Sequence, residues 1–300
     1  MPNAKTANVP SGKSILALGE TGSGKTTQFL SLPGSKFAYI FDPNALSSLQ
    51  WYDVDYEEYL PDKLSLKLTS LSAGKGDDKK DSRIKSRGAE VYRLWEEHFE
   101  RMIATGGFDR YENIMLDSGT TFLDMIMDGV LAINGRGGQW PQQDDYGPQI
   151  MAFHNIMRTL TSLDKRVYVT GHVETIKDEI TSKVFNVPMM TGRLKKKIPL
   201  LFSEVLFFDA HQDSKGKTNY RVQTKPNRDN PTIRCSIKGL EAFEDITIDF
   251  NKQPEGQGLG EIIRKAQRSG PRQGVASSDA RPSMGQEKPS QSAVTRPTPL

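Results

Sequence analysis

Short apolar runs alternate with amphipathic stretches along the first part of the chain. Residues 14–18 (Ser-Ile-Leu-Ala-Leu) are a compact apolar run, the pattern of a buried strand. Residues 36–41 form a second such run, closed by Asp42-Pro43, where proline stops a ladder. Val91, Leu94, Trp95, His98, Phe99, Met102 and Ile103 recur at helical spacing and predict one apolar helix face, ended by Gly106-Gly107. Residues 111–116 predict a third strand ending at Asp117-Ser118, with a helix from Thr121 to about Ile133. A Gly/Gln-rich loop at 134–148 carries Trp140. Ile150, Phe153, Ile156, Met157, Leu160 and Leu163 mark the next helix, and residues 166–170 a fourth strand ending at Gly171-His172.

Beyond this point the pattern changes. Residues 200–210 are apolar and strand-like, 219–224 alternate, and Lys215-Gly216-Lys217 reads as the turn between them. Residues 232–237 alternate again. These predict an antiparallel extension of a mostly parallel sheet flanked by helices, the α/β class. Residues 259–267 form a short helical stretch, after which Pro, Gly, Ser and Gln dominate. The expected organisation is a flexible arm at 1–12, one α/β domain at 13–250 and a basic, mostly disordered tail at 251–300, with 269–300 disordered throughout. The polar, mixed-charge stretch 70–88 reads as a mobile surface loop.

Ligands of such sheets bind at the carboxyl ends of the strands. Asp42, Asp117 and His172 each follow a predicted strand end. So does the sequence Gly19-Glu20-Thr21-Gly22-Ser23-Gly24-Lys25-Thr26, with Thr27 following, which matches GxxxxGK[ST] at every fixed position. Its glycines let successive N–H groups face a phosphate, Lys25 reaches the β- and γ-phosphates, and the Thr26 hydroxyl coordinates Mg²⁺. The following helix turns its N-terminus to the same phosphates. The pattern identifies a nucleotide, ATP with Mg²⁺, and no particular reaction. Residues 113–118 (Asn-Ile-Met-Leu-Asp-Ser) read as the second nucleotide motif, with Asp117 beside the metal. Ser118 stands where many P-loop ATPases carry a water-activating glutamate. Asp42 is the substitute candidate and Glu20 a weaker one; the plainer reading of Asp42 is a turn residue before Pro43. His172 is placed either to touch the γ-phosphate or to serve as a structural histidine.

Composition narrows the rest. Net charge over the 300 residues is +3, too small to argue alone for a polyanion partner. Residues 251–300 hold eight Lys/Arg and four Asp/Glu, a net of +4, leaving −1 for the other 250. The single cysteine, Cys235, rules out an internal disulfide framework and reads as an inert strand thiol. With four His and no close pair, a zinc site is not expected. Apolar runs fall short of the ~20 residues that span a bilayer, and no signal-peptide core is present. The expectation is a soluble protein of a reducing compartment, the cytoplasm, without a membrane partner.

GETGSGKTT, the strand ending at Asp42, IMLDS, VYVTGH and the segment from Val187-Pro188 to Asp209 together resemble the RecA-like P-loop ATPases, over about residues 12–240. The likeness is to the phage AAA/RecA-type branch that includes single-strand annealing and recombination proteins. This resemblance implies an ATPase on single-stranded DNA in phage recombination or replication, acting in the host cytoplasm as a homo-oligomeric ring or filament. It implies two DNA-lining loops, 134–148 with Arg136, Gln139 and Trp140, and 174–193 with Lys177, Lys183 and Arg193, continuing into Lys195, Lys196 and Lys197. It also implies a cation inserted across a subunit interface, with Lys225 and Arg228 the candidates, and slow hydrolysis by a lone subunit. Two other classes stay open. One is a nucleotide-gated module whose tail recruits single-strand-binding or replication proteins with little turnover. The other is a small-molecule phosphotransferase with 70–88 as its lid.

Overall fold

The computed structural model describes residues 12–60 and 87–268. The expectations for the arm, for most of the 70–88 loop and for 269–300 lie outside the described residues. An eight-stranded sheet has the order β10-β9-β8-β1-β5-β4-β2-β3. Its strands are β1 (Ser14–Gly19), β2 (Lys36–Ile40), β3 (Asp55–Glu58), β4 (Asn113–Asp117), β5 (Arg166–Gly171), β8 (Glu204–Gln212), β9 (Thr218–Gln223) and β10 (Phe243–Asp245). From β8 to β3 every pairing is parallel; β9 and β10 add antiparallel strands. A separate antiparallel ribbon joins β6 (Val173–Lys177) to β7 (Val184–Pro188).

The apolar strands feed two cores because successive side chains point to opposite faces. Leu16, Leu18, Tyr39, Ile114, Leu116, Val167 and Val169 pack on one face with α2 (Arg87–Ala104), α3 (Gly119–Ile133) and α4 (Tyr146–Ser162). Ile15, Ala17, Ala38, Ile40, Met115 and Tyr168 pack on the other with α1 (Lys25–Phe29) and α6 (Gly258–Arg268). On α2 the buried stripe is narrower than predicted. Trp95 and Phe99 are buried, while Leu94 and Ile103 face outward.

Several boundaries differ from expectation for local reasons. The 70–88 loop gives way to α2 at Arg87. The 134–148 loop ends early because Asp145 caps a turn that runs into α4 at Tyr146. Residues 174–193 contain the β6–β7 ribbon rather than one loop. Residues 194–201 coil as α5 (Leu194–Lys197) and a 3₁₀ turn, so β8 starts at Glu204 and not at 200. The strand expected at 232–237 reduces to one bridge, Arg234 with Val205. There the Glu204 carboxylate takes the Ser236 N–H at 2.7 Å and its hydroxyl at 2.5 Å, replacing ladder bonds. Cys235 therefore sits outside a strand; burial first, then Glu204, pushes its thiol up to about 12. Edge strand β3 escaped the pattern because all four of its residues are exposed.

The expected boundary at 250 falls inside a packed segment. Gln28 of α1 donates to the Ile246 carbonyl at 2.6 Å and accepts from the Leu259 N–H at 3.0 Å. Ser31 accepts from Gly260 through its hydroxyl at 3.0 Å and from Gly256 through its carbonyl at 2.7 Å. The helix α6 is thereby clasped to the underside of α1. Among the described residues no helix is long and apolar enough to cross a membrane.

A Cβ on Gly260 would collide with the Ser31 carbonyl. Gly260→Ala is expected to lose about 1–3 kcal/mol of stability, the usual cost of overpacking, by denaturant unfolding. An unchanged midpoint would show that α6 does not pack as described.

Candidate functional site

The site lies where β1, β2, β4 and β5 end. After β1 the chain turns through Gly19–Lys25, with Gly22 and Gly24 in the left-handed region at φ 80° and 85°, which favours glycine. Space beside Gly22 is open. The helix α1 is only five residues long. Its contribution at a phosphate is that of first-turn N–H groups.

Lys25 is buried and folds back across the loop. Its Nζ donates to the Gly19 and Glu20 carbonyls, each at 2.8 Å. Burial pulls its pKa below the ordinary lysine value, against Asp117, Asp42 and Glu20. Thr26 donates from Oγ1 to Asp117 Oδ2 at 2.7 Å, and Thr170 Oγ1 donates to the other carboxylate oxygen. Asp117 is 3% exposed. Burial raises its pKa, opposed by the two threonines and Lys25. The Asp117–Ser118 peptide bond is cis.

Asp42 stands beside this pair. It accepts from Ser118 Oγ at 3.0 Å and from Thr121 Oγ1, and His172 Nε2 lies 3.6 Å from its Oδ2. Burial works to raise its pKa, but His172, Thr121 and Ser118 together hold it below the ordinary carboxylate value. Lys25, Thr26, Asp42, Asp117 and His172 thus come together at one sheet edge.

The positioning roles of the residues around these groups were not read from sequence. Thr170 fixes Asp117. Ser118 and Thr121 fix Asp42, and Ser118 also caps α3 by accepting from the Thr121 N–H. Tyr168 donates to the Lys25 carbonyl at 2.7 Å. The readable signal was a helix-capping serine directly after Asp117.

The other candidates stand apart. Arg136 turns inward onto Asp145, which is fully buried and also accepts from Asn134 Nδ2 at 2.8 Å and the Gln142 N–H at 2.7 Å. That braced loop leaves Trp140 85% exposed. Lys195 pairs with Glu174 at 2.7 Å. Lys177 and Lys183 flank Asp178 and Glu179 at the ribbon tip; residues 173–188 hold two Lys against Glu174, Asp178 and Glu179, a net of −1. Arg193 and Lys196 are exposed on and before α5, without an ion pair among the described residues. Lys225 and Arg228 are exposed on the loop after β9, and among the described residues neither makes a side-chain hydrogen bond or ion pair to the cluster.

In the order β8-β1-β5-β4-β2, strand β5 separates the phosphate-loop strand from the strand of Asp117. With the lysine and threonine of the loop, that order defines a RecA-like P-loop NTPase fold. The family model described as AAA domain (AAA_24) matches residues 11–232, and the chain belongs to that family. No curated protein matches the chain. Among solved structures it is similar to the flagellar accessory protein FlaH of Methanocaldococcus jannaschii, at 13% identity and TM-score 0.38, covering 82% of this chain and 89% of that one. It is also similar to the KaiC-like protein PH0186 of Pyrococcus horikoshii OT3, at 13% identity and TM-score 0.36, covering 81% and 88%.

A buried carboxylate whose pKa is raised on folding costs nothing below its unfolded value; the cost grows as pH rises from there and is complete above the folded value. Asp117→Asn is therefore expected to raise the Tm of the ligand-free protein at neutral pH. The gain should shrink on acidification toward the carboxylate range. A ligand-free Tm that falls at pH 7 would refute this account.

Proposed function

We propose that the chain binds ATP with Mg²⁺ in the phosphate loop, hydrolyses it slowly as a lone copy, and couples the cycle to single-stranded DNA in phage recombination, annealing or replication. The observation that carries the nucleotide part is the convergence of Lys25, Thr26 and Asp117. The residues fit the cofactor. Lys25 occupies loop carbonyls that phosphate oxygens can replace, the ground beside Gly22 is open, and a hydroxyl and a carboxylate lie side by side as hard oxygen donors. The N–H groups of residues 20–27 would cradle the phosphates. Thr26 and Asp117 would hold the metal, Asp117 through water. The metal supplies neutralisation of phosphate charge.

Asp42 takes the water-orienting role that Ser118 cannot. Its lowered pKa keeps it ionised, but the Ser118 and Thr121 hydroxyls already occupy one oxygen and His172 stands 3.6 Å from the other, which makes it a weak base and turnover slow. His172 shares Asp42 and begins the β6–β7 ribbon, so the γ-phosphate end is joined to that ribbon. Lys225 and Arg228 suit a finger reaching a neighbouring copy.

For DNA, Trp140 offers a stacking face and Arg193 and Lys196 offer phosphate contacts, with Lys177 and Lys183 on the ribbon beyond. Arg136 and Lys195 brace the loops that carry these groups. A second reading, a nucleotide-gated module with little turnover that recruits replication proteins through its tail, is favoured by the two hydroxyls that already occupy Asp42 Oδ1.

ATP turnover with and without single-stranded DNA, wild type against Lys25→Ala, tests both. Turnover is expected to be slow, stimulated by DNA, and reduced about 10²-fold or more by the substitution. DNA binding should weaken steeply with salt. Wild-type binding of Mg-ATP with turnover no higher than that of Lys25→Ala would favour the module. Absence of salt-sensitive DNA binding with or without Mg-ATP would sink the DNA reading.

A further inference from the structure

The two flanks of the phosphate loop are chemically different. Thr26, Asp117 and Asp42 mark the metal and γ-phosphate end, and their strands β4 and β2 lie on one side of β1. On the other side lie β8 and β9. A triphosphate whose γ end faces Asp117 and Asp42 points its nucleoside toward β8 and β9.

That flank has an overhang. β8 pairs with β1 as far as Gly19 opposite Phe208, then continues through Gln212 paired only with β9. Tyr220 lies in this overhang, opposite Ala210. Its ring lies against the loop: a Cβ added to Gly24 would sit 3.1 Å from it. The ring is half-buried, packed against the core of Phe208, Val222 and Ile246. Its backbone is pinned along one edge by residues 246–247. The Tyr220 N–H donates to Thr247 Oγ1 at 2.9 Å, and its carbonyl accepts from the Ile246 N–H at 2.9 Å. Thr218 and Gln212, paired with each other, share the Tyr220 face farther out and supply polar groups.

We propose that Tyr220 is the platform on which the base of the bound nucleotide stacks, which makes the β8–β9 hairpin the nucleoside clamp of the site. The assignment rests on the reading of the phosphate loop as a nucleotide site. A pinned, partly exposed aromatic face binds any base, and it binds the larger face of a purine better than that of a pyrimidine. Gly24 belongs to the same device, since any side chain there would meet the ring. The hairpin thus separates a nucleotide from bare phosphate, a distinction the loop amides and Lys25 cannot make.

Calorimetric titration of the full chain with Mg-ATP and with inorganic tripolyphosphate plus Mg²⁺ tests it. Wild type is expected to bind both. Tyr220→Ala should weaken ATP about tenfold, the size of loss expected when a base-stacking ring is removed, and leave tripolyphosphate within about twofold. Tyr220→Phe should keep both affinities. Tyr220→Leu preserves apolar packing against Gly24 and should show the same selective loss if Tyr220→Ala does not fold. Equal loss of both ligands would mean that the ring only props the loop and would overturn the proposal. So would unchanged ATP binding. Wild type that binds neither ligand would overturn the nucleotide reading, and this assignment with it.

Discussion

The structure depends on holding one carboxylate out of water. Asp117 ends a central strand with almost no exposure, and burial alone would drive it neutral. Two hydroxyls from different elements, Thr26 of α1 and Thr170 of β5, bind its two oxygens. Lys25 adds a nearby positive charge. None of these is a sequence neighbour of Asp117. Parallel strands β1, β5 and β4 bring them together by ending at the same edge, and such a sheet is stable only with both faces covered. The two cores serve this geometry as much as they serve stability.

The second carboxylate is held on different terms. Asp42 is less buried and is bound by donors from α3 and by His172. His172 is tied to α3 again, since its N–H donates to Thr120 Oγ1 at 3.1 Å, and its carbonyl accepts from the Met189 N–H at 2.9 Å at the foot of the ribbon. One carboxylate therefore touches two elements, the start of α3 and the root of β6–β7. Change at Asp42 must break or remake these bonds. That is a physical link between the site and the ribbon, made of the hydrogen bonds at Ser118, Thr121 and Thr120 and the 3.6 Å approach of His172 to Asp42.

Much of the fold was legible because the central strands are apolar on both faces. Residues 14–18, 36–41, 111–116 and 166–170 needed no partner information to read as strands. The site motif was legible because phosphate binding demands glycines at left-handed positions beside a fixed lysine and threonine. Edge elements were not. β3 is entirely exposed, so its strand character comes from pairing with β2 alone. The alternation at 232–237 was present, but Glu204, distant in sequence, captured the backbone and side chain of Ser236. The α6 clasp was hidden because the partners of Gln28 and Ser31, at 246–260, lie more than 200 residues away in sequence.

Charge was the least legible property. Counting cations after the Asp117 and His172 strands suggests a basic tract along both following segments. Folding removes two of them from that tract: Arg136 neutralises buried Asp145, and Lys195 pairs with Glu174. The ribbon between sums to −1 over residues 173–188. Exposed cations then concentrate at Arg193, Lys196 and Lys197, and the exposed indole at Trp140. Counterion release scales with the number of phosphates met, so a surface of this kind suits a short footprint rather than a long basic groove.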